Sequence, residues 1–152
     1  MNTLSKKCKY ALRALYRLTR EYERGPVLIA RVAEQEKIPR KFLEVILLQL
    51  KRSGVVDSRK GRRGGYLLAV PPSRITLGAI IRTIDGPLAP LPCARERADQ
   101  PCPECSDRTT CETRIVMREV RDAIAAILDH TTLAGICNRV PDEAEGALNY
   151  EI

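Results

Sequence analysis

The chain has 152 residues, an ordinary hydrophobic content of 44% and a net charge of +7. No apolar run approaches the roughly 20 residues that cross a bilayer, and no signal-peptide core follows Lys6, Lys7 and Lys9, so the expectation is a cytoplasmic protein with no membrane partner. The charge is concentrated: residues 1–82 carry nineteen Lys/Arg against six Asp/Glu, while residues 83–152 carry seven against thirteen.

A first helix is predicted from Leu4 to Tyr22, where Leu4, Cys8, Ala11, Leu12, Leu15, Leu18 and Tyr22 recur at three- and four-residue spacing. A short helix fits Leu28 to Glu36. A third runs from Pro39, tolerated at a first turn, to Ser53, with Gly54 as its stop. Phe42, Leu43, Ile46, Leu47 and Leu50 form its apolar face. Val55–Arg59 and Tyr66–Val70 then read as paired strands around the cationic tip Lys60-Gly61-Arg62-Arg63-Gly64-Gly65. Helix, short helix, turn, helix and basic hairpin make a mostly α fold, a winged helix-turn-helix with a small β-hairpin wing.

Thr76 is the expected N-cap of a short helix to Ile84. Asp85 to Cys111 is too Pro-rich and polar for regular structure, and a loop of that length in a small domain suggests function. Glu112 to His130 is a long helix with the stripe Ile115, Val116, Val120, Ile124, Ile127 and Leu128, and with Arg114, Arg118, Arg121 and Asp122 facing elsewhere. The stripe either docks on its own domain or pairs with a twin. The division is thus 1–84 for the winged helix-turn-helix, 85–111 for a cysteine-rich sensor loop, 112–137 for a dimerisation helix with a short terminal helix, and 138–152 for an acidic, mobile tail.

A front half this basic calls for a polyanion, nucleic acid ahead of an anionic membrane, because a membrane-surface helix wants Trp or Phe on its apolar face. The third helix must turn its apolar face inward, which sends Arg40, Lys41 and Glu44 outward at the end where helix-turn-helix proteins read base edges. Arg and Lys suit guanine, and Glu accepts from cytosine. Arg59, Lys60, Arg62 and Arg63 on the wing neutralise phosphates, and Lys6 and Lys7 add backbone contacts. The alternative is an accessory protein whose basic face meets RNA or an acidic protein. With one His, no Ser or Cys beside a base and no phosphate loop, nothing points to an enzyme.

Four cysteines fall within nineteen residues as Cys93-x8-Cys102-x2-Cys105-x5-Cys111. Four thiolates hold a 2Fe–2S or 4Fe–4S cluster, and the Cys-x2-Cys spacing also suits tetrahedral zinc. A third possibility is a thiol switch in which Arg95, Arg97 and Arg108 lower the thiolate pKa. Cys8 and Cys137 fit small buried hydrophobes, and His130 fits a helix C-terminal cap.

Several segments carry a family resemblance: Lys9-Tyr10-Ala11-Leu12-Arg13-Ala14, Ile38-Pro39-Arg40-Lys41-Phe42-Leu43-Glu44, Gly64-Gly65-Tyr66-Leu67-Leu68, Ile84-Asp85-Gly86, the cysteine loop and Leu128-Asp129-His130-Thr131-Thr132-Leu133. Through them the chain resembles the IscR/NsrR-type family of bacterial winged-helix regulators over residues 4–137. The resemblance implies a homodimer whose long helices cross at the interface, a pseudo-palindromic operator in double-stranded DNA, and a cysteine loop near that interface. Cys93, Cys105 and Cys111 match the family's three cluster cysteines. The gap before Cys105 is longer and holds the additional thiol of Cys102. Where the iron–sulfur assembly regulators have His, this chain has Arg114; where nitric-oxide sensors place an acid before the early Tyr, it has Lys9. Cys102 is the natural fourth ligand, and Cys8 lies one residue from the family's N-terminal ligand position.

Overall fold

The computed structural model describes residues 4–98, 102–105 and 107–140. Helix α1 (Lys6–Arg20) begins where Ser5 accepts a 3.0 Å hydrogen bond from the Cys8 amide, filling an orphan donor of the first turn. Leu4 and Tyr22 therefore fall outside the helix. The Ser5 amide also donates to Asp85 Oδ2 at 2.9 Å, which anchors this end of α1. Helix α2 (Ile29–Gln35) is held to α1 by Glu36, whose carboxylate takes Arg17 Nε at 3.1 Å and Arg13 Nε at 3.6 Å.

Helix α3 (Arg40–Arg52) starts one residue later than the sequence pattern suggests, with Pro39 as its N-cap and Ser53 as its C-cap. Leu43, Ile46, Leu47 and Leu50 are fully buried. Phe42, expected among them, is 38% exposed. It stands about 100° around the helix from Leu43, off the centre of the apolar face. Its ring instead packs edge-on against Tyr10 of α1, centroids 5.7 Å apart.

Strands β1 (Val56–Arg59) and β2 (Gly65–Leu68) pair antiparallel, from Val56 opposite Leu68 to Arg59 opposite Gly65. β2 starts and ends earlier than expected, leaving Ala69 and Val70 to lead into Pro71. Val27 adds a third rung on Tyr66, with N–H···O bonds of 2.8 and 2.9 Å. This close approach requires Gly65: its φ is 149°, and a Cβ there would lie 2.3 Å from the Val27 carbonyl oxygen.

Helix α4 (Leu77–Asp85) has the expected Thr76 cap, whose hydroxyl accepts from the Ala79 amide at 3.2 Å. The long loop is not wholly irregular, since Pro92–Ala94 form a single 3₁₀ turn. Helix α5 (Glu112–Asp129) ends one residue short of His130, its C-cap, whose Nδ1 lies 2.7 Å from the Ala126 carbonyl oxygen. Helix α6 (Leu133–Arg139) is capped by Thr132, and its fully buried Leu133 enters the core that α1 shares. Of the tail expected over residues 138–152, Asn138 and Arg139 close α6, Val140 is its C-cap, and the rest lies outside the described residues.

The segment between α5 and α6 is stitched to α4. Leu77 donates to the Thr131 carbonyl at 2.9 Å, Leu133 donates to that of Ile75 at 2.9 Å, and Arg82 grips Asp129 through two bonds of 2.6 and 3.0 Å. The predicted stripe of α5 divides: Leu128 packs on the core, while Ile115, Val116 and Ile127 are exposed. Arg121, placed off the stripe, is buried. Among the described residues no helix is long and apolar enough to cross a membrane.

Candidate nucleic-acid interface and cysteine cleft

Burial of the Leu43–Leu50 face turns the opposite side of α3 outward. Lys41, Glu44, Val45 and Leu48 are all exposed there, with Arg40 beside them. Arg40 Nε lies 3.3 Å from Glu44 Oε1, an exposed pair one helical turn apart. Such a pair contributes little to stability and is readily exchanged for a partner with better geometry. Lys6 is exposed at the start of α1 and Lys7 half-buried; the Lys6 ammonium lies 5.7 Å from the Tyr10 ring centroid. Since Tyr10 meets Phe42, Lys6 sits alongside the first turn of α3.

Arg59, Lys60, Arg62 and Arg63 are all exposed on the hairpin. The tip is tight: Gly64 donates to the Gly61 carbonyl at 3.0 Å, Gly61 has φ 106°, and a Cβ on Gly64 would lie 2.3 Å from the Arg59 carbonyl oxygen. At the hairpin base Asp57 is held below the usual carboxylate range, chiefly by the Ser58 amide and then by Lys51, 3.6 Å away. Val45 and Leu48 belong to the same face as the charged candidates, though no charge or hydrogen-bonding group marks them in the sequence.

All four loop cysteines line one cleft of about 550 Å³, walled also by Leu91, Pro92, Pro103, Glu104, Thr113 and Arg114. Cys102 and Cys105 sit in one turn, closed by a 3.2 Å bond from the Cys105 amide to the Cys102 carbonyl. Cys105 Sγ is 3.6 Å from Sγ of Cys111, the N-cap of α5. Cys93 is buried on the 3₁₀ turn, which α5 holds by its carbonyls: Arg114 Nε donates to Cys93 O at 3.0 Å and Arg121 Nη1 to Ala94 O at 2.8 Å.

The thiols match a metal or cluster in donor type. Two thiolates at about 2.3 Å from one tetrahedral ion stand about 3.8 Å apart, close to the Cys105–Cys111 separation. Among the described residues no three ligating side chains converge as a finished metal site. The Cys105 thiol is pushed up to about 12 by its hydrogen bonds with Cys111 and Cys102. The expected lowering by arginines therefore does not hold at Cys105. Arg95 and Arg97 line a different cleft, beside Arg82 and Arg121, and Arg108 donates to the Ala98 carbonyl. Cys8 is fully buried, and burial followed by Asp85 pushes its thiol up to about 11. The Cys137 thiol lies half-buried, 3.9 Å from the Tyr16 carbonyl.

Comparison with known proteins finds one family of regulators over nearly the whole described chain. The Rrf2 model, described as an iron-dependent transcriptional regulator, matches residues 4–139. An Rrf2-like HTH-type regulator of Rhodobacter capsulatus is 41% identical over 133 residues, 86% of this chain and 89% of its own. The HTH-type regulator IscR of Serratia proteamaculans is 30% identical over 135 residues, covering 89% and 79%. Among solved structures, CymR, the global cysteine regulator of Bacillus subtilis, superposes with a TM-score of 0.76 at 29% identity, covering 93% of this chain and all of that one. The T. potens IscR gives 0.74 at 28% identity, covering 98% and 95%.

The grip of α5 on the 3₁₀ turn is open to a direct check. In protein stripped of metal, Arg121→Met keeps bulk but removes the donors, so alkylation of Cys93 should accelerate about tenfold or more, the worth of a charged hydrogen bond. Cys8 should stay unlabelled in both proteins, which reports an intact core. An unchanged Cys93 rate would show that Arg121 does not hold the turn.

Proposed function

The chain belongs to the Rrf2 family of transcriptional regulators, and we propose that it binds a pseudo-palindromic operator as a cytoplasmic homodimer whose affinity follows the state of its four-cysteine cleft. Its relatives are regulators and not enzymes. Arg40, Lys41 and Glu44 meet base edges in the major groove, while Lys6, Lys7, Arg59, Lys60, Arg62 and Arg63 neutralise backbone phosphates. The homodimer is supported by α5, where Val116, Val120, Ala123 and Ile127 follow one line at four- and three-residue steps and are exposed or half-buried. That spacing fits the seam of a paired helix. A two-fold dimer presents two recognition helices to half-sites one DNA turn apart.

The observation that carries the sensing part is the meeting of four thiols in one cleft whose wall is bonded to α5. Cys93, Cys102, Cys105 and Cys111 would hold an iron–sulfur cluster. When bound, such a cluster supplies a redox-labile group sensitive to iron and sulfide supply. From the cleft, contacts run without a break to the reading helix. Arg114 and Arg121 join the 3₁₀ turn to α5, Arg82 and Asp129 join α5 to α4, and Gln49 Nε2 joins α3 to the Thr83 carbonyl of α4 at 2.7 Å. Reordering of the cysteine segment thereby biases the spacing of the two recognition helices. A structural zinc is the second reading, favoured by the Cys102–Cys105 turn and the 3.6 Å thiol pair.

Anaerobic purification followed by an absorption spectrum and iron, sulfide and zinc assays separates these readings. Iron with matching sulfide and visible bands, lost in Cys105→Ala and Cys111→Ala, is expected; zinc without sulfide supports the second reading, and metal-free protein contradicts both. For the DNA face, Arg62→Ala and Arg63→Ala should weaken binding uniformly across sequences and reduce the salt slope by about 1 for each phosphate no longer neutralised. An unchanged slope would favour a protein partner for the basic surface.

A further inference from the structure

The outward face of α3 is not the uniformly charged surface that solvent favours. On a helix advancing about 100° per residue, Lys41, Glu44, Val45 and Leu48 fall within one arc of about 100°, directly opposite Leu43, Ile46, Leu47 and Leu50. Leu48, near the middle of that arc, is 46% exposed, and Val45, at its edge, is 55% exposed. Neither side chain is needed by the core, which the opposite face fills. Along the helix this apolar pair lies between Lys41 and Glu44 on one side and Arg52 on the other. That order fits a partner that is anionic at its edges and carries apolar groups within.

Double-stranded DNA has that make-up in its major groove, where the C5-methyl of thymine is the apolar group displayed beside donors and acceptors. We infer that Val45 and Leu48 are specificity-determining residues that contact thymine methyl groups of the operator, an inference that rests on the operator-binding reading above. The occupant is DNA rather than an acidic protein because the exposed wing cations Arg59, Lys60, Arg62 and Arg63 stand on the hairpin whose base Lys51 of α3 joins through Asp57 and Ser58. Val45 and Leu48 are separated by about 4.5 Å along the helix axis, a little more than one base-pair step, so their contacts fall on neighbouring pairs of one half-site. Lys41 and Glu44 supply the polar readout beside them.

The test uses the full chain and duplexes selected by the wild type from a random library. Each thymine of a selected duplex is replaced in turn by deoxyuridine, which deletes the methyl and nothing else. At one or two positions per half-site the replacement should weaken wild-type binding about fourfold, the effect of one buried methyl-sized group. Val45→Ala and Leu48→Ala should each become indifferent to the replacement at one of those positions while retaining binding to unselected DNA; both sites are exposed, and thermal melts check that the variants fold. A wild type that selects a sequence yet ignores every deoxyuridine overturns this inference alone. Variants that stay as sensitive to the replacement as the wild type also overturn it. A wild type that retains no duplex at all overturns it together with the operator-binding reading.

Discussion

A guanidinium with 8% exposure needs partners for its donors, and Arg121 finds them in the Ala94 carbonyl and the Asp122 carboxylate. Leaving such a charge unpaired in a protein interior costs several kcal/mol, so the 3₁₀ turn carrying Cys93 and the long helix α5 are held to each other. Arg114, two turns earlier on the same side of α5, repeats the arrangement on the Cys93 carbonyl itself. Cys111 caps the same helix, so both ends of the cysteine segment, residues 93 and 111, depend on α5 for their position.

That dependence is what makes the cysteine cleft more than an appendage. α5 presents Val116, Val120, Ala123 and Ile127 outward, away from its own core. Its far end is bonded to α4 by the Arg82–Asp129 pair and to the start of α4 through Thr131, and α4 in turn receives the Gln49 side chain of α3. Asp85, the last residue of α4, holds Ser5 at the start of α1, beside Lys6 and Lys7. A change in the cysteine segment therefore has mechanical routes to both parts of the basic surface. The links through Arg114, Arg121 and the Arg82–Asp129 pair are charged, while those of Leu77 to Thr131 and Gln49 to Thr83 are neutral hydrogen bonds.

The local signals in the sequence carried much of this. The Leu43–Leu50 periodicity, the Gly-rich cationic tip and the Thr76 cap each have a short-range cause, and each appears in the fold where the pattern puts it. What the sequence did not disclose depends on contacts across the chain. Phe42 reads as core by composition, yet its angle around α3 brings it to Tyr10 at the surface. Arg121 reads only as lying off the apolar stripe, and the carbonyl 27 residues earlier that fills its donor is not visible in the local pattern. The arginines near the cysteines read as activators of thiolates, whereas Cys105 is dominated by neighbouring thiols that raise it. Val45 and Leu48 carry no signal in the sequence, because an apolar residue shows its outward position only once the helix is seated on its core. The resemblance supplied Cys93, Cys105 and Cys111 as a set with Cys102 as the natural fourth, and all four line one cleft in the fold.

Whether the state of the four thiols is felt at the DNA face through α5 is decided by one ratio. It is the ratio of operator dissociation constants for loaded and metal-free protein at one fixed salt concentration, taken for the wild type and for Arg121→Met. A ratio of about tenfold or more is expected in the wild type, within the usual range of allosteric coupling, and a ratio falling toward one in the variant. Equal affinities of loaded and metal-free wild type would contradict coupling through α5, and so would an Arg121→Met protein that keeps the full wild-type ratio.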